Sequence, residues 1–296
     1  MPSPSLDCLS QIVAAALAGR DDQFHATRVR QAQPVSGGDI NHSLRLDTDG
    51  PTLFLKLNQS HRVDTFAAEM DGLQAIAATE TIATCRPLAC GQLEQYSYLL
   101  LEYLPLQAQG DWSLAGSQLA QMHAVALGQR FGFDRPSYCG GALQPNPWHG
   151  HWAAFFANCR IAPQLVQLWQ TTPQSPKVAA AVTAVEHLLA EHQPQPSLVH
   201  GDLWQGNISF SGGQPVIFDP AIYLGDSETD LAMSELFGRF PDAFYRAYHD
   251  QRAIAPGYGQ RRDLYQLYHI LNHANLFGGA YIADARRRLA RLSIEE

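Results

Sequence analysis

The chain has 296 residues, 46% of them hydrophobic and only 16% charged, a composition that supports a substantial buried core and excludes a largely disordered chain. Its formal net charge of −8 argues against a nucleic-acid binder, which presents a basic patch or stripe, and is compatible with a cationic small-molecule partner. Five cysteines, Cys8, Cys85, Cys90, Cys139 and Cys159, include no C-x-x-C pair and no zinc-ligand spacing, so they read as reduced, mostly buried thiols of a cytoplasmic protein.

In chain order, the apolar run QIVAAALAG (11–19) is preceded by Pro2, Pro4 and Asp7 and by no basic residue, so it reads as a short packed helix rather than a signal peptide. No apolar run reaches the roughly 18 residues that suggest a membrane span. HSLRL and TLFLKLN alternate apolar and polar residues around the turn signal DTDG, which predicts an antiparallel sheet with VSGGDIN as the loop between its first two strands. Over residues 63–79, Phe66, Met70, Leu73 and Ile76 recur at helical spacing. SYLLLEYL (97–104) reads as a buried strand that ends at Pro105. Beyond residue 111 the pattern is helical over 113–127, 151–169, 177–192 and 263–292, the last broken at Gly278-Gly279. A short β-island, 198–220, lies within this part. The expected architecture is α+β and bilobal: a small β-rich lobe over 1–103 and a larger, mainly helical lobe over 104–296 that carries the β-island. A cleft between such lobes is a favoured place for a ligand.

The island reads LVHGDLWQGNISFSGGQPVIFDP. ISF and PVIF form two short strands joined by SGGQ, and a hairpin brings its ends together. Asn207, before the first strand, and Asp219, after the second, are then placed to share a hard, oxygen-loving cation such as Mg²⁺, with phosphate completing its shell. Asp202 is left to accept a proton from a substrate hydroxyl. That division of labour is the one phosphoryl transfer needs. His200-Gly201-Asp202-Leu203 followed by Asn207, and then by Asp219-Pro220, keeps the five-residue Asp-to-Asn step of the protein-kinase signature. Any of these residues taken singly suits an ordinary turn or cap. Their combination points to a kinase.

Upstream, Lys56 lies in an otherwise apolar strand and Glu69 on the helix that follows, an order that suits an ion pair reaching the α- and β-phosphates of a nucleotide. Gly37 and Gly38 would let backbone N–H groups approach an anion closely, though two adjacent glycines also make a plain turn. Glu102, Tyr103 and Leu104 fall at the lobe connection, where backbone groups would read an adenine edge. His123 reads as a scaffold histidine, His200 as a buttress of the Asp202 loop, and Asp230 as a helix N-cap or loop support.

Through VHGDLWQGN and FDP the chain resembles the aminoglycoside-phosphotransferase-like kinases, a branch of the protein-kinase-like fold. More narrowly, it resembles the fructosamine/ketosamine-3-kinase family. DPAIYLGDSETDLAM and LYHILNHANLFGG carry that narrower likeness, which runs over about residues 30–280. The resemblance implies ATP- and Mg²⁺-dependent phosphorylation of a sugar hydroxyl, at O3 of a ketosamine such as a fructosamine, with protein deglycation and the handling of free metabolites both left open. It implies Asp202 as general base, Asn207 and Asp219 as magnesium ligands, Lys56 with Glu69 as phosphate clamp, and residues 102–104 as the adenine contact. Trp204, Asp226 and Glu228 are the candidate substrate contacts. Three positions depart from the family pattern: Ser227 stands where Arg is frequent, His151 precedes Trp152 where Asp is frequent, and the glycine loop carries Asp39 with no cysteine near it. A kinase of the same superfamily acting on another amino-sugar, an aminoglycoside or choline stays open. So does a catalytically inactive nucleotide-binding module, which would have no need of Asp202. The oligomeric state is left open.

Overall fold

The computed structural model describes residues 4–20, 23–26, 28–35 and 41–294. Gly37, Gly38 and Asp39 lie outside the described residues. In chain order the elements begin with α1 (Leu6–Ala16), β1 (Val29–Pro34), β2 (His42–Thr48), β3 (Leu53–Gln59), α2 (Val63–Ala77), β4 (Ala83–Thr84), β5 (Pro87–Leu93) and β6 (Tyr96–Glu102). They continue with α3 (Trp112–Ala124), β7 (Ser137–Cys139), β8 (Ala142–Gln144), α4 (Trp152–Phe156), a π-helical turn (Ala157–Ile161), α5 (Ala162–Leu168), α6 (Pro176–Leu188) and β9 (Ser197–Val199). Last come β10 (Ile208–Ser211), β11 (Gln214–Ile217), β12 (Tyr223–Gly225), α7 (Glu228–Ser234), α8 (Asp242–Gln251), α9 (Tyr258–Phe277) and α10 (Ala280–Arg291). No helix among the described residues is long and apolar enough to cross a membrane.

The chain divides into two compact units, Met1–Gly110 with Ile208–Asp219, and Asp111–Asn207 with Pro220–Glu296. In the first unit, β1-β2-β3-β6-β5 form an antiparallel sheet. Strand periodicity sorts its residues onto two faces. Leu53, Leu55 and Leu57 point one way and join Leu46 with Leu9, Ile12 and Val13 of α1 in one buried cluster. Phe54 points the other way, toward a cluster of Phe66 and Leu73 from α2 with Leu99 and Leu101. Lys56 shares that second face by alternation. Each of these large side chains contributes about 1.5–3 kcal/mol on full burial, so the sheet and α2 fix the lysine's position firmly.

The hairpin β10–β11 belongs with this first unit, unlike the expectation that placed it in the helical lobe with a break near residue 103. The reason is strand pairing. β11 pairs in parallel with β4, Val216 opposite Ala83 and Ile217 opposite Thr84, and the Thr84 hydroxyl donates to the Ile217 carbonyl at 2.6 Å. Gln107 exchanges backbone hydrogen bonds with Phe210. A Cβ at Gly110 would come within 2.1 Å of the Phe210 ring, so glycine is required where this segment passes.

The second unit is built on α9. Its Leu264, Tyr265, Leu267, Tyr268 and Leu271 pack with Trp152, Phe155, Phe156, Leu165 and Val185 in one large core. Gly278 and Gly279 both have positive φ (66° and 57°) and separate α9 from α10, as the sequence indicates. The segment 151–169, expected as one helix, runs from α4 through the π-helical turn into α5. That turn carries buried Arg160, which donates to the Pro145 carbonyl and Asn146 Oδ1 and lies over the rings of Phe155 and Tyr223. β9 and β12 pair antiparallel, Val199 opposite Tyr223, and the chain leaves β9 directly into His200-Gly201-Asp202.

Candidate active site

The expected site residues fall into two sets. In the first unit, Lys56 is only 5% exposed. Its Nζ donates to Glu69 Oε1 of α2 at 2.5 Å and to Asp219 Oδ1 just after β11. Burial opposes the ammonium charge, but the two carboxylates overcome it and hold Lys56 above the ordinary lysine range. Burial pushes the Glu69 carboxyl up, to about 7; Lys56 pulls against this and the Asp219 charge adds to it. Asp219 has φ +57°, a left-handed conformation that costs a non-glycine residue on the order of 1 kcal/mol or more. Its side chain stays 40% exposed. At the end of β6, the Glu102 N–H donates to the Arg86 carbonyl and Glu102 Oε1 accepts the Arg86 N–H, each at 3.0 Å, the Tyr103 ring lies under the Arg45 guanidinium at 4.9 Å, and Leu104 packs against the Phe66 and Leu73 cluster.

In the second unit, the Asp202 loop is held by its main chain. Gly201 has φ +80°, and a Cβ there would sit 2.2 Å from the Ala221 carbonyl oxygen. The Ala221 N–H donates to the His200 carbonyl at 2.8 Å. Buried Asp230, on α7, accepts the His200 N–H at 2.6 Å, the Gly201 N–H at 2.9 Å and His123 Nε2 at 3.1 Å. Burial works against its charge, yet the hydrogen bond from His123, the nearby histidines and the Gly201 N–H outweigh it and lower the Asp230 carboxyl. His123 is fixed in turn by the Tyr248 hydroxyl at 2.8 Å. The Asp202 N–H donates to His200 Nδ1 at 3.3 Å, which gives His200 its buttressing role. Asn207 Nδ2 donates to the Asp202 carbonyl at 2.8 Å and to Asp202 Oδ2 at 3.3 Å.

Two residues beside Asp202 escaped sequence reasoning. His269 Nδ1 lies 3.9 Å from Asp202 Oδ1, and Cys139 Sγ lies 4.0 Å from the same nitrogen. Burial, with the neighbouring His273 adding to it, lowers His269 to about 3, so its imidazole is neutral at ordinary pH. Only the placement of His269 in LYHILNHANLFGG hinted at it, and Cys139 gave no signal.

The three candidate substrate contacts separate. Trp204 is 37% exposed, covers Gly206, and begins a row of rings: Phe237 at 6.3 Å, then His273 at 4.8 Å from Phe237, then Phe277 at 5.4 Å from His273. Asp226 and Glu228 lie inside the fold. They are 2% and 4% exposed, and their carboxylates are engaged inside the fold. Asp226 accepts from the Tyr265 hydroxyl at 2.6 Å, His192 Nε2 at 2.7 Å and the Glu228 N–H at 3.1 Å. Glu228 receives both arms of Arg261 at 2.7 and 2.8 Å. They hold α7 and α9 together. Ser227 is internal as well, accepting from Arg252 Nε at 3.2 Å.

The donors present suit a hard cation. Asp202 occupies Asn207 Nδ2, which leaves the amide oxygen as the donor Asn207 can offer. Asp219 presents a half-exposed carboxylate. An amide oxygen and a carboxylate are ordinary ligands of Mg²⁺.

The fold is of the protein-kinase-like class. The chain is similar to the crystal structure of an aminoglycoside phosphotransferase in ternary complex with ADP and hygromycin B, with TM-score 0.59 and 22% identity over 90% of this chain and 94% of that one, a likeness of fold alone. A closer likeness, with TM-score 0.86 and 29% identity over 96% of both chains, is to a Haemophilus somnus 129PT protein described as a fructosamine-3-kinase. The fructosamine kinase family model matches residues 12–295, and the chain belongs to that family. Proteins assigned as ketoamine kinases in Synechocystis sp. and Vibrio parahaemolyticus are 45% and 40% identical to it, over 88% and 87% of this chain and 90% and 91% of theirs. The protein is accordingly a phosphotransferase enzyme.

Proposed function

We propose that this kinase transfers the γ-phosphoryl group of ATP, with Mg²⁺, to O3 of a ketosamine such as a fructosamine, and so acts on glycated amines in the cytoplasm. The observation that carries the reading is the buried Lys56 ammonium shared by Glu69 and Asp219. Burying a cation with two carboxylates is a poor way to stabilise a fold, since desolvation offsets much of the attraction. It is a good way to keep a charge in place for phosphates.

In the proposed reaction Asp202 accepts the proton of the substrate hydroxyl. The oxygen attacks the γ-phosphorus, the bond to the β,γ-bridging oxygen breaks, and ADP leaves. Asn207 holds one Asp202 oxygen through Nδ2 and so orients the base. Lys56 neutralises charge on the α- and β-phosphates. Asn207 and Asp219 are the residues that would hold the ion. When bound, Mg²⁺ supplies neutralisation of the phosphate charge. Little covalent chemistry falls to the protein, and most of the acceleration comes from positioning and charge neutralisation. Residues 102–104 serve the adenine through backbone groups, and Trp204 offers its ring to the sugar.

A panel of ketosamines, amino-sugars, aminoglycosides and choline, incubated with Mg-ATP and read by phosphorus NMR, tests this. Phosphate on the ketosamine O3 is the expected product. Phosphate on any other position, or on another substrate class alone, contradicts the assignment.

A further inference from the structure

Around the general base the second unit assembles a donor set that phosphoryl transfer does not use. Cys139 Sγ, His269 Nδ1 and one Asp202 carboxylate oxygen lie within 4.8 Å of one another. We propose that these three side chains bind a zinc-class divalent cation, and that its binding shuts off the transferase by taking the Asp202 carboxylate.

Geometry is the first support. The sulfur–nitrogen and nitrogen–oxygen separations are 4.0 and 3.9 Å. Donors of a tetrahedral zinc shell, with bonds of about 2.0–2.3 Å, lie roughly 3.5 Å apart, so these two separations would close by about half an ångström around an ion, and the third pair already lies within 4.8 Å. Each ligand stands on a fixed element. Cys139 ends β7, and its carbonyl accepts from Asn272 Nδ2 of α9 at 3.2 Å. His269 lies one turn earlier on α9, and its carbonyl accepts from His273 Nδ1 at 2.8 Å. The Asp202 loop is tied down by Asp230. Three protein ligands leave a fourth position for water, the pattern of an open zinc site.

Chemistry is the second support. A thiolate and an imidazole nitrogen select zinc, cobalt and their neighbours over Mg²⁺, which prefers oxygen ligands throughout. Mg²⁺ at Asn207 and Asp219 therefore does not compete for this set. The neutral His269 ring has no imidazolium proton to give up. The Cys139 thiol, raised well above its ordinary range chiefly by burial, must lose its proton, so affinity rises with pH. The ion enters from the Asp202 side, where the side chain is 18% exposed, since Cys139 and His269 are buried.

The inhibitory half rests on Asp202 being the base, whereas the binding half does not. Cobalt(II) titrated into the full chain without nucleotide or substrate tests binding by itself. The expected result is a thiolate-to-cobalt charge-transfer band at one ion per chain, displaced by Zn²⁺, lost in Cys139→Ser and in His269→Gln, and kept in Lys56→Met. Circular dichroism establishes that each variant is folded, and Cys139→Ala replaces Cys139→Ser if the latter is not. No band in the wild type, or a band that survives loss of the thiol, overturns the site. In turnover assays at saturating Mg-ATP, zinc inhibits the wild type, and Cys139→Ser keeps basal turnover while needing about 10-fold more zinc or beyond. A cobalt band without zinc inhibition overturns the inhibitory half and counts against Asp202 as base. A failure of ketosamine turnover would leave the cobalt result standing.

Discussion

The Asp230 carboxylate accepts the backbone N–H of Gly201 at 2.9 Å, and with its other oxygen that of His200 at 2.6 Å. The Asp202 loop is therefore set by a buried acid from α7 that touches its main chain. Asp230→Asn keeps the shape but loses one acceptor oxygen and the charge. It should lower stability by about 2–4 kcal/mol, the scale of lost hydrogen bonds to a buried charge. Chemical unfolding measures that loss, and kcat should fall more than KM changes. Wild-type stability and kcat in this variant would mean the loop is held by something else.

Lys56→Met removes the ammonium and leaves Glu69 and Asp219 facing one another. Nucleotide-dependent turnover should fall by at least ~100-fold, the scale of a lost preorganised charge. Stability should become strongly pH-dependent. Glu69 is already raised to about 7 by burial, and without Lys56 it rises further. A carboxyl with a raised folded pKa supports the fold while protonated and ceases to as pH climbs through that pKa. The variant should therefore melt close to wild type near pH 5 and well below it near pH 8. An equal deficit at both values would contradict the buried shared charge.

His269 works in the opposite sense. Its folded pKa, about 3, is depressed by burial below the ordinary 6.5. Between those values the unfolded chain takes up a proton that the folded chain refuses, so stability present above pH 6.5 is lost as pH falls toward 3. The contribution can reach several kcal/mol at the acid end. Melting temperature followed from pH 7.5 to 4.5 should drop less steeply in His269→Gln than in the wild type. Parallel curves would show that His269 does not carry the acid loss.

Trp204→Ala should raise KM for the ketosamine by roughly 2- to 30-fold, the range of a lost ring contact with a sugar or amine, and leave KM for ATP nearly unchanged. Steady-state kinetics in both substrates decides this. An effect on ATP alone would remove Trp204 from the substrate side.

The parts legible in the sequence were those with a local period or a turn residue. The alternation in TLFLKLN marked β3 as a strand, and the order of Lys56 and Glu69 suited their ion pair, whereas the α1 core on the far face of β3 came only with the structure. Gly278-Gly279 marked the break between α9 and α10. Non-local pairing was not legible. β4 is two residues long and has no periodicity of its own, yet its parallel pairing with β11 moves the hairpin into the first unit. Asp226 and Glu228 look like surface acids beside a glycine turn, and their partners His192, Tyr265 and Arg261 lie 33–39 residues away in sequence. Acids were therefore easy to find, and which of them are buried depended on long-range hydrogen bonds. Asp202 shows the same limit from the other side, since spacing located it while His269 and Cys139 became its neighbours only through folding.

Single-turnover phosphoryl transfer by Asp202→Asn, beside Mg-ATP binding by the same protein, tests the central claim most directly. The account predicts near-normal nucleotide affinity with transfer to the ketosamine slowed by at least ~100-fold, the general-base scale. Transfer at the wild-type rate with Asp202 neutralised would contradict it.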